Sequence, residues 1–358
     1  MTSANTILAS AAPQNYKPTG KEPKGTVRSV KQRTSWHYST AQAPATTTVS
    51  RGSNGSLADQ LNSSYPTKLY VEPSSPAATQ ATLWSSGNPT DAAIMDRLAA
   101  QPTALWLTGV SGDVQNRVNN YVTAAYQAGA LPVLVAYNIP YRDCGGSSSG
   151  GAITMSAYDT WISQVASGIN GRPAIVILEP DALAGIDCLT PPEQQARLQM
   201  LSSAVRQLQS SLVHVYIDAG NADWQPASVM AQRLQQVGIS AASGFSINVS
   251  NFVSTASSLQ YGDALSSAIG RPTHFIIDTS RNGNGPAADN AWCNPAGRAL
   301  GALPTLHTGL PLVDAFLWVK VPGESDGVCG PAQNGSYPPS AGTWWPAYAL
   351  MLAQNAGW

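Results

Sequence analysis

Charge is scarce in this sequence: only 11% of its 358 residues are Asp, Glu, Lys or Arg, and the formal net charge is -1. With no basic excess, the chain lacks the electrostatic footprint of a partner for nucleic acid or for an anionic membrane, and neither is expected. No apolar run approaches the roughly 18 residues that span a bilayer, and the first residues lack a charged start followed by an apolar stretch. Cysteine is sparse too. Cys144, Cys188, Cys293 and Cys329 show no CxxC spacing and have few His residues nearby, which speaks against zinc, so no metal is expected. Disulfides suit them better. Of three connectivities, the one linking near neighbours, Cys144 with Cys188 and Cys293 with Cys329, closes two modest loops and is preferred. That pairing implies an oxidising compartment, hence export to the extracellular space.

Gly, Ser, Thr, Asn and Pro fill the space that charge leaves, together with 10 Trp and 13 Tyr. This mixture suits a protein that handles neutral, polar molecules, because flat rings stack on the apolar faces of sugars while amides and hydroxyls bond their hydroxyls. The same Trp residues equally serve as core filling. Residues 1–65 are rich in Ser, Thr, Ala, Pro, Lys and Gln without apolar periodicity, and are expected to form a flexible tail or linker. Residues 66–358 are expected to form one domain, a length that a single barrel of parallel strands occupies. Short apolar segments alternate there with helical stretches such as Pro192 to Ser211, the signature of βαβ units. The segments are LYVEP, ALWLTG, LPVLVAYNIP, AIVILEP, VHVYIDAG, GFSINVSN, THFIIDTS and AFLWVKVPG. About eight such strands imply a closed or nearly closed barrel of the α/β class.

Nearly every segment is followed at its carboxyl end by polar or charged residues: Asp143, Glu179, Asp181, Asp218, Asn221, Asn248, Asp278, Arg281, Lys320, Glu324 and Asp326. In parallel barrels those ends share one face, where active sites sit. Any one of these acids could instead cap a helix or a turn; the whole set is poorly explained that way. Asp143 follows a buried segment and precedes a Gly and Ser loop. An acid against apolar walls has its pKa raised and donates a proton to a leaving oxygen, and a second acid close by, Asp181, would hold it protonated by repulsion. In LWVKVPGESDG, Lys320, Glu324 and Asp326 share a tight turn, from which an acid could activate water on the opposite side.

VAYNIPYRDCGG, VILEPDALA, IDAGNADW, IDTSRNGNG, WCNPAGRALG and FLWVKVPGESDG, in this order from about Leu69 to Trp358, resemble the family-6 glycoside hydrolases, the inverting cellulases. The resemblance implies a distorted, incomplete β/α barrel of the TIM-like kind, secretion, and hydrolysis of β-1,4-glucosidic bonds without a cofactor. It implies Asp143 as general acid, Asp181 as a neighbouring acid and Asp326 as base. Trp224, Asn248, Trp292, Lys320 and Glu324 match positions lining the sugar subsites, and the disulfide pairing preferred above agrees with the family's usual arrangement. Two departures stand out: Asn221 where many relatives carry His, and Thr108 where a number carry Asp, with Asp113 a few residues on. Inversion calls for carboxyls roughly 6.5 to 9.5 Å apart to admit water. Only Gly327 and Val328 separate Asp326 from Cys329. With so little chain to roof the site, an endoglucanase acting as a monomer on cellulose or related glucans is expected, the alternative being a cellobiohydrolase that works from chain ends. A glycan-binding protein without catalysis would have lost the acids, and a lyase or aldolase would want a lysine or metal cluster that the lone Lys320 does not supply.

Overall fold

Residues 66–109 and 112–358 are described by the computed structural model; the expected tail at 1–65 lies outside them. Seven strands are fully parallel and neighbour one another in chain order. They are β1 (Leu105–Leu107), β2 (Val133–Ala136), β3 (Ala174–Leu178), β4 (Val213–Asp218), β5 (Gly244–Ile247), β6 (His274–Asp278) and β7 (Val313–Leu317). The eighth expected strand, LYVEP, reduces to a single parallel bridge between Leu69 and Leu131. Pro73 has no N–H for a ladder, and the chain turns at once, Ser75 N–H donating to the Glu72 carbonyl at 3.3 Å.

The barrel is therefore incomplete. β1 and β7 form no ladder with each other; the seam is held by Ala104 N–H on the Trp318 carbonyl, 3.2 Å, and the Trp106 indole N–H on the Val319 carbonyl, 2.8 Å. The strands read as unbroken apolar runs because both faces are covered. Val133, Val135, Ile175, Ile177 and Tyr216 point into the barrel, while Leu134, Ala136, Val176, Leu178 and Val215 alternate outward beneath the helices. Each buried aliphatic side chain of this kind contributes about 1.5–3 kcal/mol.

Between β1 and β7 run α3 (Val114–Gln127), α4 (Met155–Ile169), α5 (Pro191–Leu208), α6 (Ala227–Val237) and α7 (Thr255–Ile269), preceded by α1 (Pro76–Trp84) and α2 (Pro89–Ala99), with α8 (Pro346–Asn355) closing the chain. Their starts are written locally. Asp113 accepts from Asn116 N–H at the head of α3, Thr154 from Ala157 N–H at α4, and Thr190 with Glu193 forms a capping box at α5. Asp113 is thus a helix cap, the bland reading of that residue. Gly262 lets α7 lie against β6, since a Cβ there would sit 2.3 Å from the Phe275 ring.

At the amino end of the strands a polar trio interrupts the apolar core. Asp314 on β7 accepts from the Tyr216 hydroxyl at 2.7 Å and faces His274 Nδ1 at 2.8 Å. The Asp314 bond raises the His274 pKa against the opposing effect of burial. A raised folded-state pKa adds stability that is complete below the unfolded value, about 6.5, and is lost as pH rises through the folded value. The melting temperature advantage of the unaltered chain over His274→Gln is expected to be largest near pH 5 and to shrink toward pH 8. A pH-independent difference would show that His274 stays neutral.

Candidate active site

The carboxyl ends of the strands and the loops leaving them line one cleft of about 980 Å³. Asp143, Asp181, Trp224, Trp292, Lys320, Glu324 and Asp326 all reach it, as do Thr108 and Asn221, the two departures from the expected pattern. Asn248 does not. It is fully buried, its amide donating to the Asp278 carbonyl at 2.8 Å and its oxygen accepting from Val253 N–H at 3.1 Å. With φ of +66°, the side chain is directed into the protein, where it ties β5 to β6 and lies outside the cleft lining. The cleft rings are open: Trp224 is 42% and Trp292 57% exposed, so each has a face free for stacking.

β2 runs into an irregular segment that ends in a 3-10 turn at Asp143–Gly145. There the Asp143 carboxyl accepts from Ser148 N–H at 2.6 Å. Cys144 is bonded to Cys188 with Cα atoms 6.1 Å apart, and Cys293 to Cys329 with 5.9 Å, both within the usual range. The two stiffened loops touch: Ser147 Oγ lies 4.0 Å from Cys329 Sγ.

From β3 and β4 come Asp181 and Asp218. Asp218 is buried, and its Oδ1 accepts from Asp181 N–H and Gly220 N–H, each at 3.0 Å. Burial pushes the Asp218 carboxyl up to about 7 despite those donors. Asp181 is held well above the ordinary carboxylate range by burial first, then by the charges of Asp218, Asp143 and Asp326, with Lys320 opposing. A carboxyl pressed by three others keeps its proton.

Asp326 is the opposite case. Burial alone would raise it, but Arg281 and then Lys320 override that, and its pKa is lowered. Both its oxygens accept from Arg281 Nη1, at 3.0 and 2.9 Å. Asn294 N–H adds a bond of 3.0 Å, and Lys320 Nζ stands 3.5 Å away. Glu324, beside it, is raised by burial against the pull of Lys320, Arg281 and Arg117. Asp278 anchors this corner from below, accepting from Lys320 N–H at 2.9 Å and Ser250 N–H at 3.0 Å.

Asp218 and Arg281 carry no site role on sequence grounds alone, although both follow a strand; what defines them is a partner 37 and 45 residues away. Among the described residues no group of three or more His, Cys, Asp or Glu side chains converges as a metal site.

The chain matches the family described as glycosyl hydrolases family 6 over residues 65–356. It is 44% identical over 293 residues to Endoglucanase A of Cellulomonas fimi, covering 81% of this chain and 62% of that protein. It is 43% identical to Endoglucanase 1 of Streptomyces halstedii, covering 79% of this chain and 88% of that one. This chain thus spans less than two thirds of the length of the first of these relatives. The endoglucanase Cel6 from Mycobacterium tuberculosis, solved with a methyl-cellobiosyl-4-deoxy-4-thio-β-D-cellobioside, shares 45% identity and superposes with a TM-score of 0.77, covering 84% of this chain and all of that one. An incomplete parallel barrel, a carboxyl-lined cleft at its strand ends and a match over nearly all the described residues have one conclusion: the chain belongs to glycosyl hydrolases family 6.

Proposed function

We propose that this chain hydrolyses internal β-1,4-glucosidic bonds of cellulose-like glucans with inversion, as a secreted monomer whose residues 66–358 form the catalytic domain. The carrying observation is that two carboxyls of one cleft have environments that push their pKa values apart, Asp181 upward and Asp326 downward. A protonated acid and an ionised carboxylate in one site are what acid and base roles require. Asp181 then gives its proton to the leaving glycosidic oxygen. Asp326 receives the proton of the attacking water, with Arg281 and Lys320 keeping it charged beforehand. This reverses the roles expected for the first two acids. Asp143, tied to a backbone N–H of its own loop, helps keep Asp181 protonated, whereas the sequence expectation makes Asp143 the donor. The open faces of Trp224 and Trp292 support stacking of neighbouring rings, whose binding energy distorts the sugar at the cleavage point.

Two disulfides support an oxidising compartment, and no helix among the described residues is long and apolar enough to cross a membrane. The short turns after Asp326 and the endoglucanase relatives support internal cutting. The touch between Ser147 and Cys329 favours a second reading, end-wise release of cellobiose beneath a roof. Following viscosity and new reducing ends together on carboxymethylcellulose separates the two. A steep early viscosity drop per reducing end is expected. A slow drop with cellobiose accumulating would establish the end-wise reading, and no reducing ends on soluble or amorphous cellulose would sink both.

A further inference from the structure

Between β2 and Asp143 the chain runs from Tyr137 to Arg142 with neither helix nor strand to satisfy its backbone, yet all of it except Tyr141 is buried. Such a stretch must find a partner for every N–H and C=O. The Tyr137 N–H goes to the Leu107 carbonyl at 3.0 Å, and Glu179, wholly buried at the end of β3, takes the next two: Asn138 N–H reaches both its oxygens at 3.0 and 3.1 Å, and Ile139 N–H one of them at 3.1 Å. Two buried arginines take the carbonyls. Arg197, from α5, donates to Pro140 O at 2.7 Å and Tyr141 O at 2.9 Å. Arg142 donates to Tyr137 O at 2.8 Å and closes the far side of the loop on Ser148 O at 2.7 Å and Ser149 O at 3.2 Å.

The returning arm completes the grip, with Ala152 N–H on Asn138 O at 2.8 Å and Arg142 N–H on Gly150 O at 3.1 Å. Gly151 (φ +97°) passes so close that a Cβ would lie 1.9 Å from Ile139 O. Glu179 itself has φ of +49°, an unfavourable conformation for a non-glycine residue that persists only where surroundings over-determine it. Tyr158 brings its hydroxyl beside the same carboxyl.

We propose that Glu179, with Arg197 and Arg142, is a positioning clamp that sets the Asp143 arm relative to the β3 end carrying Asp181. Glu179 and Asp181 flank one proline on one strand end, so a carboxyl group that grips the arm through Asn138 and Ile139 fixes the spacing of the two cleft acids. This rests on the functional reading above. Glu179 touches no cleft surface and acts only through Asp143.

The test is a double-mutant cycle on cellopentaose hydrolysis with Glu179→Gln, Asp143→Asn and both. The amide introduced by Glu179→Gln turns one acceptor into a donor facing backbone N–H groups, misplacing the arm. A misplacement of about 1 Å costs up to about a hundredfold in rate. Expected is a fall in kcat of about tenfold to a hundredfold with KM within about twofold, shrinking to less than about twofold when Asp143→Asn is already in place. Should Glu179→Gln not fold, Arg197→Lys, which keeps the charge but loses the fork between Pro140 O and Tyr141 O, is expected to show the same loss and the same non-additivity. Unchanged kcat, or a loss that persists in full beside Asp143→Asn, would overturn the clamp. No hydrolysis by the unaltered chain would bring down the functional reading and the clamp with it.

Discussion

Asp181→Asn is expected to lose about 10²–10⁴-fold in kcat on cello-oligosaccharides while the protein stays folded and still binds them. That range is what a positioned general acid contributes. The protonated carboxyl and the amide have nearly the same shape, and the site loses a group that burial and three carboxylates already hold uncharged, so the melting temperature should equal or exceed that of the unaltered chain. A leaving group that departs without a proton isolates the step. On a 2,4-dinitrophenyl cello-oligosaccharide the variant should lose far less than on the natural substrate. Asp143→Asn serves as the comparison: selective loss with poor leaving groups in that variant, and not in Asp181→Asn, would restore the proton to Asp143.

Removing the Asp326 carboxyl should act on folding as well as on turnover. Arg281 is wholly buried and Asp326 nearly so, and each oxygen of Asp326 is engaged by the guanidinium. Breaking a buried pair from one side costs about 3–5 kcal/mol, mostly because the remaining charge stays in a poor solvent. Asp326→Ala strands Arg281, frees Lys320 and leaves Asn294 N–H without its acceptor. A fall in melting temperature on the order of 10 °C follows for a domain of this size, with a matching drop in denaturant midpoint at constant slope. The pair also predicts a pH window. Because the folded-state pKa of Asp326 is depressed, its contribution is complete above the unfolded value, near about 3.9, and is lost as pH falls through the folded value. A stability within about 1 kcal/mol of the unaltered chain, less than a broken buried pair costs, would mean that Arg281 finds another partner.

Much of this architecture is legible from residues alone because strands covered on both faces must be apolar throughout: AIVIL and VHVYID leave few other readings. LYVEP has the same look and still fails as a strand, since Pro73 and the turn after Glu72 decide its length. Of the acids after the strands, Asp143, Asp181, Glu324 and Asp326 line one cleft, while Glu179, Asp218 and Asp278 are buried behind it. What a sequence does not carry is how deeply each is buried. Asp143 and Asp181 are interchangeable as motif residues, and only the neighbours the fold brings to each, with Asp218 behind Asp181, set them apart. Asn248 follows its strand as a ligand contact would, and a left-handed backbone angle turns it away. The partnership of Glu179 with the Asp143 arm spans 41 and 40 residues, and Arg197 reaches it from a helix whose periodicity announces only that it packs.

Of the eleven described non-glycine residues with positive φ, all but Asn170, which caps α4, lie in loops after β2, β3, β5, β6 and β7. Each such residue costs about 1–3 kcal/mol. The barrel is therefore polarised: relaxed at the foot of its strands, tense at the rim. A directed-evolution campaign for heat tolerance would find its easiest gains at the foot, in helix ends and in the short turns entering the strands, where nothing reacts. Relaxing the rim by placing glycine at residue 141 or 250 would harden the fold while blurring the geometry it exists to hold, so robustness and turnover are selected on opposite ends of one molecule.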